Sequence, residues 1–202
     1  MKIAIIGSGI SGLGAAHFLS KKHKVDLFEK DNHFGGHAFT VDITEHISNK
    51  TVSLDLGFIV FNKINYPNLV KLFHDLNISY EKSNMSFAVS VKNSNIEYGT
   101  TGLKGLFSNK SNFFNLNYLK MIKEIISFYK EAEIINENEY KNQTLGNFLK
   151  EKKFSNYFIS YHIIPIVAAI WSMPFSLAEK MPMDLFLNFF KNHGLFKIKN
   201  RP

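Results

Sequence analysis

The N-terminal segment combines short apolar runs with a helical pattern. Lys2–Ile6 is an almost continuous apolar run rich in isoleucine, which predicts a strand buried on both faces. From Ile10 to Ser20, every third residue is apolar, which predicts a helix with one apolar face. Lys24–Phe28 predicts a second strand. The order strand, helix, strand predicts the start of a parallel sheet with a helical crossover.

A glycine-rich run joins the first strand to the helix, and it reads Gly7-Ser8-Gly9-Ile10-Ser11-Gly12. The first glycine allows the chain to turn sharply off the strand, and the second lets a pyrophosphate approach the backbone closely. The third allows the helix to pack tightly on the strand. No basic side chain lies between Gly7 and Ala16. The unpaired N–H groups of the helix N-terminus would therefore have to bind the phosphates.

A carboxylate at the end of the second strand completes a dinucleotide-binding pattern. Glu29 lies 17 residues after Gly12, where a carboxylate can accept hydrogen bonds from both hydroxyls of an adenosine ribose. Its charge disfavours a 2′-phosphate and therefore NADP. A glycine run alone is also typical of a flexible turn. Strand, helix, second strand and terminal glutamate in this order predict dinucleotide binding.

The middle of the chain is predicted to contain two hairpins and a helix. Residues 41–62 alternate as one hairpin, with a turn near residues 48–50 and a second strand that ends at Asp55-Leu56-Gly57. Pro67 and the apolar spacing after it predict a helix over about 67–76. Met85–Val91 and Ile96–Tyr98 alternate as the two strands of a second hairpin.

The remainder is predicted to be mostly helical. A long helix over about 115–136 has one apolar face, formed by Leu116, Leu119, Ile122, Ile126 and Tyr129. Thr144 suits the N-cap of a short helix, and Ser176–Glu179 matches a capping box that opens another. Gly194 is typical of the residue that follows a helix. Tyr157–Phe175 approaches the length of a membrane span, but its polar residues and Pro165 favour a buried helix broken near that proline.

Composition narrows the functional classes. The chain has 202 residues, no cysteine and a formal net charge of +7. The lack of cysteine excludes disulfides, thiolate metal sites and a cysteine nucleophile, and it fits a reducing cytoplasm, where we expect the protein. The lysines are scattered among Asn, Ile and Phe, so we interpret the charge as solvated surface and expect no nucleic-acid partner. The motifs of metal sites and of serine hydrolases are also missing, and we expect no metal.

A second glycine pair follows the glutamate closely, in the segment from Glu29-Lys30 to Gly35-Gly36-His37. Paired glycines let a backbone loop pass close to a pyrophosphate or to the ribityl chain of a flavin, and a surface turn is the alternative. With the N-terminal glycine run, this segment resembles the flavin-containing amine oxidase superfamily. That superfamily includes monoamine oxidases, protoporphyrinogen oxidase and phytoene-desaturase-like enzymes. Asp55–Asn62 is similar to its bacterial branch of NAD/FAD-dependent oxidoreductases.

The resemblance implies an FAD site. The pyrophosphate would be held by the run Gly7, Ser8, Gly9, Ile10, Ser11 and Gly12, and the adenosine ribose by Glu29 with Lys30 beside it. Along the pyrophosphate and flavin would lie Gly35, Gly36 and His37, and facing the flavin ring system would lie Asp55, Gly57 and Phe58. In the family, arginine usually follows the glycine pair. His37 can still donate a hydrogen bond, but it is only partly charged near neutral pH.

The resemblance also implies the architecture. We expect an α/β fold with a Rossmann-like FAD/NAD(P)-binding domain of the ββα type over residues 1–65. We expect an α+β substrate or cap segment over residues 66–202. Members of the family continue for a comparable length or more, so we expect this chain to be truncated at its C-terminus.

Three functional hypotheses follow. The leading one is an FAD-dependent oxidoreductase that accepts a hydride from a substrate C–N or C–C bond, because the cofactor supplies the chemistry and no acid–base constellation is evident. The others are an NAD-dependent dehydrogenase and a non-catalytic nucleotide-binding fragment. The substrate would be a small molecule, with lipophilic molecules among the candidates. No transmembrane segment is expected, while a peripheral membrane contact stays open. No catalytic residue is predicted.

Overall fold

Strands and helices alternate from the first residues of the chain in the computed structural model, which describes residues 1–57, 60–83, 86–92 and 94–197. The chain divides into two units, Met1–Phe61 and Asn62–Pro202, called unit 1 and unit 2 below. The sequence placed this division after residue 65. Phe58, Met85 and Asn93 lie outside the described residues, so the predicted role of Phe58 and the predicted strand start at Met85 are not addressed by the structure.

Unit 1 begins with β1 (Lys2–Ile6), α1 (Ile10–Ser20) and β2 (Lys24–Phe28). The two strands are parallel, with Lys2 opposite Lys24 and Ile6 opposite Phe28. All three elements have the predicted bounds. A hairpin of β3 (Thr40–Thr44) and β4 (Thr51–Asp55) follows, with Thr40 opposite Asp55. This confirms a βαβ-type start and the first predicted hairpin.

Burial in unit 1 differs from the prediction. The strand Lys2–Ile6 was expected to be buried on both faces, but Ile6 is 81% exposed, and no residue of α1 is buried. Among the described residues of unit 1, Ser8 alone is buried. The reason lies in the sheet, because β1 pairs with β2 and the two strands form a two-stranded sheet. So narrow a sheet cannot enclose its apolar side chains.

Unit 2 consists of one hairpin and a set of helices. Its elements are α2 (Pro67–Asp75), β5 (Ala88–Ser90), β6 (Glu97–Gly99), α3 (Gly102–Leu106), α4 (Leu116–Ile134), α5 (Leu145–Glu151), α6 (Asn156–Phe158), α7 (Ile164–Trp171), α8 (Phe175–Ala178) and α9 (Met183–Asn192). Short 3₁₀ helices lie at Lys110–Phe114 and Glu137–Tyr140. The strands β5 and β6 are antiparallel, which confirms the second hairpin.

The hydrophobic core of unit 2 is dominated by aromatic side chains. Phe128 on α4 contacts the rings of Phe148, Phe158 and Phe186, which lie on three other helices. The predicted apolar face of α4 is only partly buried. Leu116 is 81% exposed, and the buried positions of the helix are Tyr118, Met121, Phe128, Tyr129 and Ala132. Large aromatic side chains, Tyr118, Phe128 and Tyr129, are among the residues that pack into the core.

Two of the predicted helix ends in unit 2, at Thr144 and Gly194, are confirmed. The Thr144 side chain accepts a hydrogen bond from the Asn147 N–H at 3.2 Å, which confirms the predicted cap. Gly194 has φ +60°, and the Leu195 N–H donates to the Phe190 carbonyl at 2.8 Å, as in a Schellman motif. The capping box at Ser176–Glu179 is wrong. Residues 176–178 lie inside α8, which begins after Pro174 without a side-chain cap.

The most apolar helix was predicted to break near Pro165, but its backbone stays helical from Asn156 to Trp171 and only its hydrogen-bond pattern changes. Residues Ile159–Ile163 form a π-helical segment between α6 and α7. Proline has no N–H to donate to the carbonyl four residues earlier, which is that of Tyr161. The Tyr98 hydroxyl donates to this carbonyl instead, at 2.8 Å. Across the described ranges, no helix is both long enough and apolar enough to cross a lipid bilayer.

Candidate dinucleotide site

The glycine run forms the turn between β1 and α1. Gly7 has φ +91°, and its N–H donates to the Phe28 carbonyl at 2.7 Å, so the turn starts at the carboxyl ends of both strands. Gly9 is the N-cap of α1, and its carbonyl accepts the first helical hydrogen bond, from the Leu13 N–H at 2.9 Å. No side chain caps this helix and its first turn has no acidic residue. Its N-terminus therefore keeps the unpaired N–H groups and partial positive charge that favour an anion.

The glycines of the run have different surroundings. A Cβ at Gly12 would lie closer than 3.0 Å to the Gly7 carbonyl oxygen, so this glycine is required by the packing of α1 on the turn. A Cβ at Gly9 would meet no atom within 4 Å. Backbone angles do not require glycine there either, since φ is −68° and ψ is 179°. Open space above Gly9, beside a bare helix end, fits the close approach of a pyrophosphate.

Glu29 lies at the end of β2 and is held by four donors. Its Oε2 accepts from the Ser8 N–H at 2.7 Å and from the Ser8 hydroxyl. Its Oε1 accepts from the backbone N–H groups of Lys30 at 2.8 Å and Asp31 at 3.1 Å. The Ser8 hydroxyl, the Asp31 N–H and the Ser8 N–H lower the pKa of Glu29 to about 2. The side chain is therefore a carboxylate at neutral pH and acts only as an acceptor.

The second glycine pair packs directly on the first. The Gly35 N–H donates to the Ser8 carbonyl at 2.9 Å, and Gly9 and Gly35 form a parallel bridge. Gly36 has φ +61°, and a Cβ there would lie 3.1 Å from the Gly9 Cα. Both glycines are thus required by the backbone of the loop, and they place this segment next to the open space at Gly9.

Of the predicted site residues on the hairpin, Gly57 lies against the loop that contains the second glycine pair, where it contacts the His37 backbone. A Cβ at Gly57 would lie closer than 3.0 Å to the His37 carbonyl, which brings the end of the hairpin against the second glycine pair. Asp55 accepts a hydrogen bond from the Thr40 hydroxyl at 2.6 Å across the hairpin. Ile10 is 58% exposed, and Ser11 beside it is exposed too. The structure therefore brings together Gly7 to Gly12, Glu29, Lys30, Gly35, Gly36, His37 and Gly57.

Sequence reasoning missed how the carboxylate is held. Asp31 contributes through its backbone N–H, a group that every residue except proline has, so the residue type gave no signal. Ser8 was named as a pyrophosphate residue, whereas its N–H and hydroxyl contact Glu29. The signal that the sequence offered for this contact was Ser8 itself, a small polar residue between Gly7 and Gly9.

Comparison with known proteins agrees with this geometry. Residues 5–76 match the family model described as NAD(P)-binding Rossmann-like domain. Over 37 residues, the chain is 54% identical to the 4,4′-diapophytoene desaturase (4,4′-diaponeurosporene-forming) of Staphylococcus aureus strains Newman and USA300. The matched residues cover 18% of this chain and 7% of the desaturase. A solved structure of an oxidoreductase from Methanosarcina mazei has a TM-score of 0.51 and 19% identity over 97% of this chain.

The family match and the short desaturase match agree with the predicted resemblance to amine-oxidase-like FAD oxidoreductases. The predicted Rossmann-like α/β fold is confirmed. This chain spans 44% of the length of the Methanosarcina mazei protein. The likeness to that protein shows a shared fold.

Unit 2 contains a buried polar cluster within its aromatic core. His162 is 1% exposed, with Nδ1 lying 2.9 Å from the Tyr98 hydroxyl and Nε2 lying 2.9 Å from the Tyr129 hydroxyl. The Tyr98 hydroxyl donates to the Tyr161 carbonyl at 2.8 Å and can therefore accept from Nδ1 of His162. Burial raises the pKa of Tyr98, which keeps that hydroxyl a donor. We interpret the cluster as structural.

Within the described ranges, no group of His, Asp and Glu could hold a metal ion.

Proposed function

We propose that unit 1 binds FAD, and that the chain is the dinucleotide-binding part of a flavin-dependent oxidoreductase of the amine-oxidase and desaturase type. The observation that carries this proposal is the surroundings of Gly9. Open space above its backbone lies beside the uncapped N-terminus of α1 and next to the Gly35–Gly36 loop. Glu29 directly follows the neighbouring strand β2.

The residues of unit 1 would have separate roles. The first N–H groups of α1 would donate to the pyrophosphate, and the absence of a Cβ at Gly9 would let it reach them. Glu29 would accept hydrogen bonds from the adenosine ribose, because its lowered pKa keeps it ionised. The same charge would repel a 2′-phosphate. The loop at Gly35–Gly36 would continue along the ligand past the pyrophosphate.

A bound flavin supplies a hydride acceptor, so the protein has to bind, orient and shield rather than provide a nucleophile. We propose oxidation of a C–N or C–C bond as the reaction class. A small lipophilic molecule is the proposed substrate, which the short match to a desaturase supports. Unit 2 is the proposed substrate or cap segment. Its aromatic core supports a folded helical layer but identifies no substrate residue.

NAD is the second candidate, and the observation that favours it is the family match, which is described as NAD(P)-binding. The two candidates differ in what the Gly35–Gly36 loop does. An FAD site uses this loop along the ligand, whereas an NAD site leaves it idle and needs a nicotinamide subsite elsewhere.

The test is a ligand titration of the whole chain. The absorbance spectrum of the purified protein is recorded first, and FAD and NAD are then titrated separately by calorimetry. We expect flavin absorbance or saturable FAD binding, with NAD at least about tenfold weaker, which is about 1.4 kcal/mol. Stronger binding of NAD would support the dehydrogenase, and binding of neither would refute the proposal.

A matched pair of variants locates the site. Gly9→Val fills the open space above the turn, and its backbone angles suit valine. Gly14→Ala, on the same helix, adds a Cβ that meets no neighbouring atom within 4 Å. We expect Gly9→Val to weaken FAD binding more than about tenfold, and Gly14→Ala to leave it within about twofold. Equal effects would argue against pyrophosphate binding at Gly9.

A further inference from the structure

The Glu29 carboxylate has no acceptor position to spare. A carboxylate has about two lone-pair sites on each oxygen. The N–H and the hydroxyl of Ser8 occupy Oε2, and the N–H groups of Lys30 and Asp31 occupy Oε1. A ribose hydroxyl can bind this carboxylate only if one of these four donors leaves.

Three of the four donors belong to the backbone and are fixed by the fold. The Ser8 N–H cannot move independently of its residue, whose carbonyl accepts from the Gly35 N–H at 2.9 Å. The Lys30 and Asp31 N–H groups directly follow β2, whose last residue pairs with Ile6. The Ser8 hydroxyl is different, because a rotation about its own Cα–Cβ bond releases it. Such a rotation between staggered positions moves no backbone atom.

We propose that the Ser8 hydroxyl is an exchangeable occupant of the Glu29 carboxylate, and that it determines how strongly this site binds ligands with a free ribose diol. A ribose hydroxyl takes the place of the Ser8 O–H at Oε2. Ser8 is fully buried, so water does not replace the hydrogen bond that its hydroxyl loses. Ser8 therefore lowers the affinity for a diol and leaves the affinity for a ligand without hydroxyls unchanged. This inference rests on the proposed dinucleotide site.

Ser8→Ala tests the inference, with ADP and 2′,3′-dideoxy-ADP as the probes. Calorimetry on the whole chain should show about tenfold tighter binding of ADP, because a hydrogen bond to a charged group no longer has to be broken. Binding of the dideoxy analogue should change less than about twofold. Ser20→Ala, which removes an exposed hydroxyl at the C-terminal end of α1, is the matched control and should not change the ratio between the two ligands.

A second readout reports the contact without any ligand. The ¹³C-labelled Glu29 carboxyl is titrated by NMR, with Glu29→Gln for assignment. Its pKa should rise in Ser8→Ala and stay unchanged in Ser20→Ala, since the Ser8 hydroxyl is the largest cause of the lowered value. A raised pKa with unchanged or weaker ADP binding would refute the exchange while leaving the dinucleotide site intact. Failure of the unaltered chain to bind ADP, FAD or NAD would refute the dinucleotide site itself and the exchange with it.

Discussion

Two glycines on α1 allow the packing of this helix on the glycine-rich turn to be measured directly. A Cβ at Gly12 would overlap the Gly7 carbonyl oxygen, whereas a Cβ at Gly14 would meet no neighbouring atom within 4 Å. Both residues lie inside Ile10–Ser20, in helical backbone. We predict that Gly12→Ala destabilises unit 1 and that Gly14→Ala stabilises it.

The magnitude follows from the difference between the two variants. Replacing a helical glycine by alanine contributes about 0.5–1 kcal/mol of stability at either position, so this contribution cancels in the difference. The overlap at Gly12 does not cancel. Overpacking costs about 1–3 kcal/mol, and the upper end is expected because the displaced atom belongs to the backbone. The free energies of opening should therefore differ by about 3 kcal/mol, which is about a hundredfold in the opening equilibrium.

Amide hydrogen exchange of β1 and β2 measures this equilibrium locally, with the amides of α4 in unit 2 as the internal reference. In Gly14→Ala the strand amides should exchange about two- to fivefold more slowly than in the unaltered chain. In Gly12→Ala they should exchange much faster. Strand exchange rates within threefold of each other in the two variants would refute the inferred contact between α1 and the turn.

Three further outcomes follow from the structure. The pKa of Glu29 is depressed, so its carboxylate stabilises unit 1 at pH values above its ordinary pKa of 4.5. This contribution should be lost as the pH falls toward about 2. Glu29→Gln should make the stability of unit 1, measured by circular dichroism, less dependent on pH between these two values. Tyr98→Phe removes the donor to the Tyr161 carbonyl and should destabilise unit 2 by about 1–3 kcal/mol in urea unfolding; an unchanged midpoint would contradict this. Gly194→Ala forces alanine to φ +60° and should cost about 1 kcal/mol in the same assay, against a near-neutral Gly194→Asn.

The sequence alone determined the elements whose signals are local. The bounds of β1, α1 and β2 agree with the prediction, because a turn that needs a positive φ at Gly7 can hardly form elsewhere in that segment. The cap at Thr144 and the stop at Gly194 were predictable for the same reason. In each case, a side chain or a backbone angle acts on residues within one helical turn.

The tertiary structure decided which side chains are buried and which distant residues are hydrogen-bonded to each other. The exposure of Ile6 depends on how many strands flank β1, and the buried face of α4 depends on which rings surround Phe128. The Ser8 contacts to Glu29 join residues 21 positions apart, and neither residue type specifies them. Periodicity along a chain identifies apolar surfaces, but which of them becomes buried is determined by the elements that the fold brings against them.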